Sequence, residues 1–158
     1  MSSKIKYVHT NIVAANWREL AAFYIKVFDC IPILPERNLS GNWLDQLTGL
    51  KKAGIRGIHL QLPGFEKGPT LEIFEYSPEN LAENNRVINR AGFAHIAFHV
   101  EDVEDILEKL VQNGGEKYGE LIKTKIEGVG ILNAVYTRDP EGNIVEIQHW
   151  ENDKGVSR

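Results

Sequence analysis

Two histidines and two glutamates occupy matching places in the two halves of this 158-residue sequence. His9 in the first half aligns with His95 in the second, and Glu72 aligns with Glu146. Neutral imidazole and carboxylate groups together suit divalent ions such as Zn, Ni, Co, Mn or Fe(II). The sequence therefore predicts one divalent metal held by these four side chains, with water completing its coordination shell.

The alternative is that each of these residues is structural. A single histidine in a strand is more often a hydrogen-bonded core residue, and a single glutamate more often faces solvent. The repetition of both residue types at matching offsets favours the metal site. In addition, a charge on an apolar sheet face is costly unless it is paired or bound to metal.

The elements that must position these residues are themselves repeated. Each histidine lies in a short stretch rich in β-branched and aromatic residues, 5–13 and 92–100, which predicts a strand. An amphipathic helix begins eight residues after each histidine. Asn16 and Asp102 lie at the same offset and suit the N-caps of the two helices.

Each glutamate lies in a strand predicted at the end of its half, 68–76 or 142–150. Further strand candidates lie between the helix and the final strand of each half: 31–35, 55–62, 119–124 and 130–137. The order strand, helix, strand, strand, strand therefore occurs twice. We expect two half-sheets related by a pseudo-twofold axis, each with a helix on one face.

Alternation along a strand places residues i, i+2 and i+4 on one face of the sheet. Five side chains share a face with one of the four predicted ligands: Asn11, Phe74, Tyr76, His99 and Trp150. We predict that these five contribute to substrate binding. For His99, a position at the strand end or behind the ligands is the alternative.

Three motifs resemble the vicinal oxygen chelate superfamily, which includes glyoxalases, bleomycin resistance proteins and extradiol dioxygenases. They are His9–Val13 followed by Phe23 and Tyr24, then Phe93–Val103, then Asp139–Glu146. This resemblance implies an α+β fold of two tandem βαβββ modules. Their eight strands would form a half-open barrel around the metal. It also implies a single domain over 1–158, with modules 4–76 and 92–150 joined by a polar linker, 77–91.

The resemblance further implies an enzyme, since binding-only members of this superfamily lack the metal ligands. The sequence is closest to glyoxalase I-like, lactoylglutathione lyase-like proteins, because it has a glutamate at position 72. Such a lyase or isomerase stabilises an enediolate formed by proton abstraction next to a carbonyl. By this resemblance Glu146 is the catalytic base, and Glu72 is a second acid or base.

Two other functions stay open. An Fe(II)-dependent extradiol-type dioxygenase needs only His9, His95 and Glu146, and would not depend on Glu72. A metal-free protein that binds a small molecule and confers resistance needs none of the four residues as ligands. The segment 35–54 is longer than in compact glyoxalase I proteins. Its leucines and Trp43 predict a short amphipathic helix that acts as a lid, as additional core or as a dimer contact.

Composition restricts the partners. The formal net charge is −4 and the basic residues are scattered, which argues against nucleic acid. One cysteine, Cys30, excludes a disulfide within the chain and predicts a small buried side chain. No apolar run approaches the roughly 18 residues that cross a membrane. We therefore expect a soluble cytoplasmic protein with a small-molecule substrate, and the resemblance implies a homodimer.

Overall fold

A computed structural model describes residues 5–80 and 86–151 and divides the chain into two compact units, Met1–Glu83 and Asn84–Arg158. The boundary falls inside the predicted linker 77–91. The predicted start of the first module at Lys4, residues 81–85 of the linker and the two ends of the predicted domain lie outside the described residues.

The first unit contains one four-stranded sheet and two helices. In chain order its elements are β1 (His9–Val13), α1 (Trp17–Phe28), β2 (Ile31–Ser40), α2 (Asn42–Thr48), β3 (Gly54–Gln61) and β4 (Thr70–Ser77). The strand order is β1-β4-β3-β2, in which β1 runs parallel to β4 and the other pairs are antiparallel.

The second unit repeats this topology. Its elements are β5 (His95–His99), α3 (Val103–Gln112), β6 (Glu116–Lys117), β7 (Ile122–Ile126), β8 (Gly130–Arg138) and β9 (Ile144–Glu151). Strand β5 runs parallel to β9, β9 pairs with β8, and both β6 and β7 pair with β8. The predicted α+β fold of two βαβββ modules is confirmed.

The predicted strand 119–124 differs from the structure, where two short strands follow one another along β8. The backbone N–H groups of Tyr118 and Gly119 both donate to the Tyr136 carbonyl, at 2.9 and 3.1 Å. Because one carbonyl receives two consecutive donors, the regular ladder is interrupted there. The matching edge strand of the first unit, β2, has a register shift between Ile33 and Arg37.

The predicted caps begin both long helices. The Asn16 side chain accepts a hydrogen bond from the Glu19 backbone N–H at 3.3 Å, and the Asp102 side chain accepts one from Asp105 at 2.9 Å. These contacts satisfy backbone donors that have no partner within the helix. The two cap predictions are confirmed.

The two faces of the first sheet differ in character. One face is apolar and contacts α1, and its buried residues are Ile58, Leu60, Leu71 and Ile73. By alternation, the opposite face carries His59, Glu72 and Phe74. A sheet with one face covered by a helix and one polar face can present side chains to a ligand.

Helix α2 packs at one end of this polar face. Its Leu44 is 1% exposed and contacts Ile55 and Phe74, while Trp43 and Leu47 are exposed. The Asp45 carboxylate accepts hydrogen bonds from the backbone N–H groups of Lys52 and Ala53, at 2.9 and 2.7 Å. These contacts favour the additional-core interpretation of segment 35–54 over the lid.

Cys30 is buried, as predicted, and burial raises the pKa of its thiol to about 12. The thiol is therefore protonated at neutral pH and is a poor nucleophile or metal ligand. Among the described residues, no helix is long and apolar enough to span a bilayer.

Gly57 lies where β3 and β4 leave little space between them. A Cβ built at Gly57 would lie 2.1 Å from the Ile73 carbonyl oxygen and 2.4 Å from a ring carbon of Phe74. The same atom at Gly54, on the same strand, would lie 3.5 Å from the Ser77 Cβ, an ordinary contact. The strand pair therefore has no space for a side chain at position 57.

We predict that Gly57→Ala lowers the free energy of unfolding by about 1–3 kcal/mol, because the added methyl group overpacks the β3–β4 pair. Urea unfolding at constant m-value measures this change. Gly54→Ala is the matched control, and its stability should stay within about 0.5 kcal/mol of the parent. Equal stability of the two variants would contradict the close approach at Gly57.

Candidate functional site

The first unit brings His9 and Glu72 together. Strands β1 and β4 run parallel with Asn11 opposite Glu72, so His9, two residues earlier, lies on the same face. The His9 Nε2 atom lies 3.3 Å from Glu72 Oε2. The Glu72 side chain is 12% exposed, whereas the His9 side chain is 42% exposed. A nearly buried carboxylate thus meets an imidazole that is open to solvent.

Glu72 has two further donors. His59, directly opposite on β3, places Nε2 at 3.2 Å from Oε1, and the Asn11 amide donates to Oε2 at 3.4 Å. His59 Nδ1 lies 3.3 Å from the Thr70 hydroxyl. The network is satisfied when Thr70 donates to Nδ1 and His59 donates from Nε2. Both oxygens of Glu72 are therefore held in place.

The ring of His59 is neutral at physiological pH. Burial lowers its pKa, and the charges of Arg37 and His9 lower it further, against the opposing effect of Glu72. Its 3.2 Å contact with Glu72 is therefore between a neutral imidazole and a carboxylate.

The second unit contains the corresponding pair. His95 Nε2 lies 3.1 Å from Glu146 Oε2, with side chains that are 28% and 15% exposed. Position 97, opposite Glu146 on β5, is alanine where the first unit has Asn11. Among the described residues, Glu146 therefore has one imidazole donor, on a single oxygen. This carboxylate is held less firmly than Glu72.

The third side chain of each cluster was not predicted. His59 lies opposite Glu72, and Tyr136 occupies the equivalent position opposite Glu146. The Tyr136 ring contacts the His95 ring edge-on at 5.1 Å. Burial raises the pKa of Tyr136, and the negative charge of Glu146 raises it further. The phenol therefore stays protonated and remains a hydrogen-bond donor.

The turn sequence contained a signal for Tyr136. Asp139 is buried and its carboxylate accepts from the backbone N–H groups of Glu141 and Asn143, at 3.0 and 2.9 Å. Along the sequence, Tyr136 lies as many residues before Glu141 as Glu146 lies after it. Locating the centre of the turn predicts that they face each other.

The structure places the five predicted substrate-binding residues differently from one another. Asn11 contacts Glu72, and the Phe74 ring meets the His59 ring at 5.5 Å. Tyr76 packs against the apolar cluster around Leu44. His99 stacks on His149 at 5.2 Å, and the Trp150 indole donates to Gln148 at 2.7 Å. The contacts of Asn11 and Phe74 lie within the first cluster.

The donor chemistry of each pair fits a divalent metal. Two donors bound to one such ion at right angles lie about 3 Å apart, since each bond is about 2.0–2.2 Å. The observed imidazole–carboxylate separations are 3.3 and 3.1 Å. Within the described parts of the chain, however, no group of three or more His, Cys, Asp or Glu side chains is arranged to hold a metal ion. Each pair alone has too few donors.

Comparison with known proteins gives one family. The model of the Glyoxalase/Bleomycin resistance protein/Dioxygenase superfamily matches residues 6–147. A search of curated proteins finds no significant match.

Several solved structures have a similar fold. A glyoxalase family protein from Bacillus cereus is 18% identical with a TM-score of 0.76, and the match covers 96% of this chain and 97% of that one. The fosfomycin resistance protein FosX from Listeria monocytogenes is 16% identical, with a TM-score of 0.57 and coverages of 99% and 100%. TioX from Micromonospora is 14% identical, with a TM-score of 0.55 and coverages of 92% and 99%. At these identities the likeness shows the fold alone.

We predict that Glu72→Ala destabilises the metal-free protein more than Glu146→Ala. Both changes remove the same atoms, but the first leaves two more donors, His59 and Asn11, without their acceptor. The difference in the free energy of unfolding should be about 1–2 kcal/mol. Urea unfolding after treatment with a chelator measures it. Equal losses, or a larger loss for Glu146→Ala, would show that the two carboxylates are held alike.

Proposed function

Because this chain belongs to the Glyoxalase/Bleomycin resistance protein/Dioxygenase superfamily, we propose that it is a divalent-metal-dependent enzyme. Its reaction is of the glyoxalase type: a lyase or isomerase step that begins with proton abstraction next to a carbonyl. The observation that carries the proposal is the recurrence of one His–Glu pair in each unit, with donor separations of 3.3 and 3.1 Å.

The proposed metal ligands are His9, Glu72, His95 and Glu146. Each unit supplies two donors of the right chemistry, and a catalytic metal site needs at least three protein ligands. We therefore propose that both pairs serve one ion, which is Ni, Zn, Co, Mn or Fe(II). When bound, such an ion polarises a substrate carbonyl and makes the neighbouring C–H bond more acidic.

Glu146 is the proposed base. His95 Nε2 lies 3.1 Å from its Oε2, and its other oxygen has no hydrogen-bond partner among the described residues. A carboxylate held at one oxygen can change its position and take a proton from carbon on the other. A positioned carboxylate of this kind contributes about 10²–10⁴-fold to the rate.

Glu72 has a different proposed role. His59 Nε2 lies beside one of its oxygens, and the other oxygen accepts from Asn11 and lies beside His9 Nε2. A carboxylate held at both oxygens is fixed in position. We therefore assign it to anchoring, in place of the second acid or base role that the sequence predicts.

The hydrogen bonds of Glu72 also favour a second candidate, the extradiol-type dioxygenase. If His59 and Asn11 hold Glu72 away from the metal, then His9, His95 and Glu146 form a two-histidine, one-carboxylate ligand set for Fe(II). Glu72→Gln separates the two functions, because the dioxygenase tolerates it. Homodimerisation, a cytoplasmic location and a small-molecule substrate are proposals that follow from the family.

We expect about one divalent ion per chain in untagged protein purified without chelator and reloaded with each candidate metal. Elemental analysis measures this content. His95→Ala should lose the ion because it removes one of four ligands. His149→Ala is the matched control, since His149 bonds the Val100 carbonyl at 2.8 Å and is not a proposed ligand. If the wild-type protein bound no metal in any preparation, the small-molecule binding protein would become the better hypothesis.

We predict that Glu146→Gln lowers kcat by about 10²–10⁴-fold while KM changes little, because the amide binds but does not take a proton. The substrate comes from a screen of α-oxo thiohemiacetals, acyl-CoA epimers and catechols against each metal form. Metal content is measured in parallel, so that loss of the ion is not mistaken for loss of the base. Turnover that survived in metal-loaded Glu146→Gln would argue strongly against Glu146 as the base.

A further inference from the structure

A cavity of about 300 Å³ lies in the first unit beside the Glu72 cluster. This volume is at the lower end of small-molecule sites, which are about 300–1,000 Å³. His59 and Thr70, the pair that holds one side of Glu72, line it. His59 therefore faces the cavity while its Nε2 atom contacts Glu72 at 3.2 Å. A ligand in this cavity would lie against His59, whose ring contacts the proposed metal ligand Glu72.

Two basic residues are among those that line the cavity. Arg37 and Lys6 line it, and its lining within the described residues includes no aspartate or glutamate. No carboxylate in the described part of the first unit forms an ion pair with either cation. By contrast, Arg18 on α1 is paired with Glu36 at 2.8 Å, and Arg56 on β3 is paired with Glu75 at 3.3 Å. Within the described residues, Arg37 and Lys6 thus differ from Arg18 and Arg56 in having no carboxylate as an ion-pair partner.

The register shift in β2 positions Arg37. Ile33 lies opposite His59, and Arg37, four residues later, lies opposite Gly57, two residues along β3. Arg37 is therefore on the same face of the sheet as His59, although β2 has more residues than β3 between these two paired positions. Its Nη1 donates to the Pro35 carbonyl, which fixes the guanidinium and leaves its other N–H groups for a ligand.

The remaining wall is largely apolar. Val8 and Ile33 contribute aliphatic surface, and Tyr7 contributes an aromatic ring. Arg37 and Lys6 would attract the oxyanion of a ligand by opposite charge. The apolar part of the same ligand would pack against this wall. A planar guanidinium is suited to two oxygens of a carboxylate, phosphonate or phosphate.

We infer that this cavity is an oxyanion subsite, in which Arg37 and Lys6 bind the acidic end of a small organic acid substrate. This assignment extends the proposed function. It depends on that function in one respect: the bound acid is a substrate only if the protein is the proposed enzyme. The anionic end is held by the β2 bulge and the N-terminal segment before β1. The other end of the molecule extends past His59 toward Glu72.

The test is ligand binding to metal-free protein, measured by isothermal titration calorimetry and by amide chemical shifts of Gly68 and Thr70. The probes are phenylphosphonate, benzoate and the neutral benzyl alcohol. The two anions should bind and the alcohol should not, and their relative affinities identify the preferred oxyanion. Because no metal is present, the result does not depend on the metal site, whose content is measured separately.

Arg37→Ala should weaken anion binding about 10- to 100-fold, since it removes a charge-assisted contact. Arg37→Lys should restore part of it, and Lys6→Ala should weaken it less than Arg37→Ala does. Arg56→Ala is the matched control: it removes the same charge from the other face of β3, and its affinity should stay within about twofold of the parent.

Equal anion affinity in the parent and Arg37→Ala would overturn the inference, as would equal binding of benzyl alcohol and the anions. An equal loss in Arg56→Ala would also overturn it, because that result would indicate a general charge effect. If Arg37→Ala fails to fold, Arg37→Lys and Lys6→Ala decide the question by the same titration.

Discussion

A carboxylate on a sheet face that is largely withdrawn from water must be supplied with hydrogen-bond donors, and the first unit is organised around that requirement. Glu72 as a whole residue is 9% exposed, so its charge would cost several kcal/mol if it were unpaired. Polar groups from both neighbouring strands converge on it. β1 supplies His9 and Asn11, and β3 supplies His59. The register of three strands is thereby tied to one side chain.

The second unit meets the same requirement with fewer donors. Alanine replaces the asparagine on the parallel strand, and Tyr136 replaces the histidine on the antiparallel one. The phenol still contributes a ring that packs edge-on against His95. Two copies of one topology thus hold one carboxylate firmly and the other loosely. This difference arises from the residues around the two glutamates, since their own strands correspond.

The elements that depend on local sequence were predictable. Apolar spacing predicted α1 and α3, and Asn16 and Asp102 predicted where they begin. The segment Asp139–Asn143 has the residue types of a turn, and in the structure the Asp139 side chain bonds nearby backbone groups between β8 and β9. The repeat singled out His9, Glu72, His95 and Glu146, and the structure brings His9 to Glu72 and His95 to Glu146. The convergence of both pairs on one ion stays a prediction.

The features that were missed depend on contacts between distant segments. The break between β6 and β7 depends on the Tyr136 carbonyl, which receives two N–H groups from across the sheet. The part played by His59 depends on the β3–β4 register, and the burial of Leu44 depends on Phe74 from another strand. Periodicity within one segment carries no information about such partners.

The interruptions in β2 and between β6 and β7 have a consequence for association between chains. Both lie on edge strands, whose unpaired backbone groups are the places where a foreign strand can add to a sheet. In β2 the bulged stretch also contains Pro35, which has no N–H group to donate. An added strand would find no continuous ladder along either edge. The register shift that shapes the cavity wall in the first unit therefore also makes the β2 edge a poor template for an added strand.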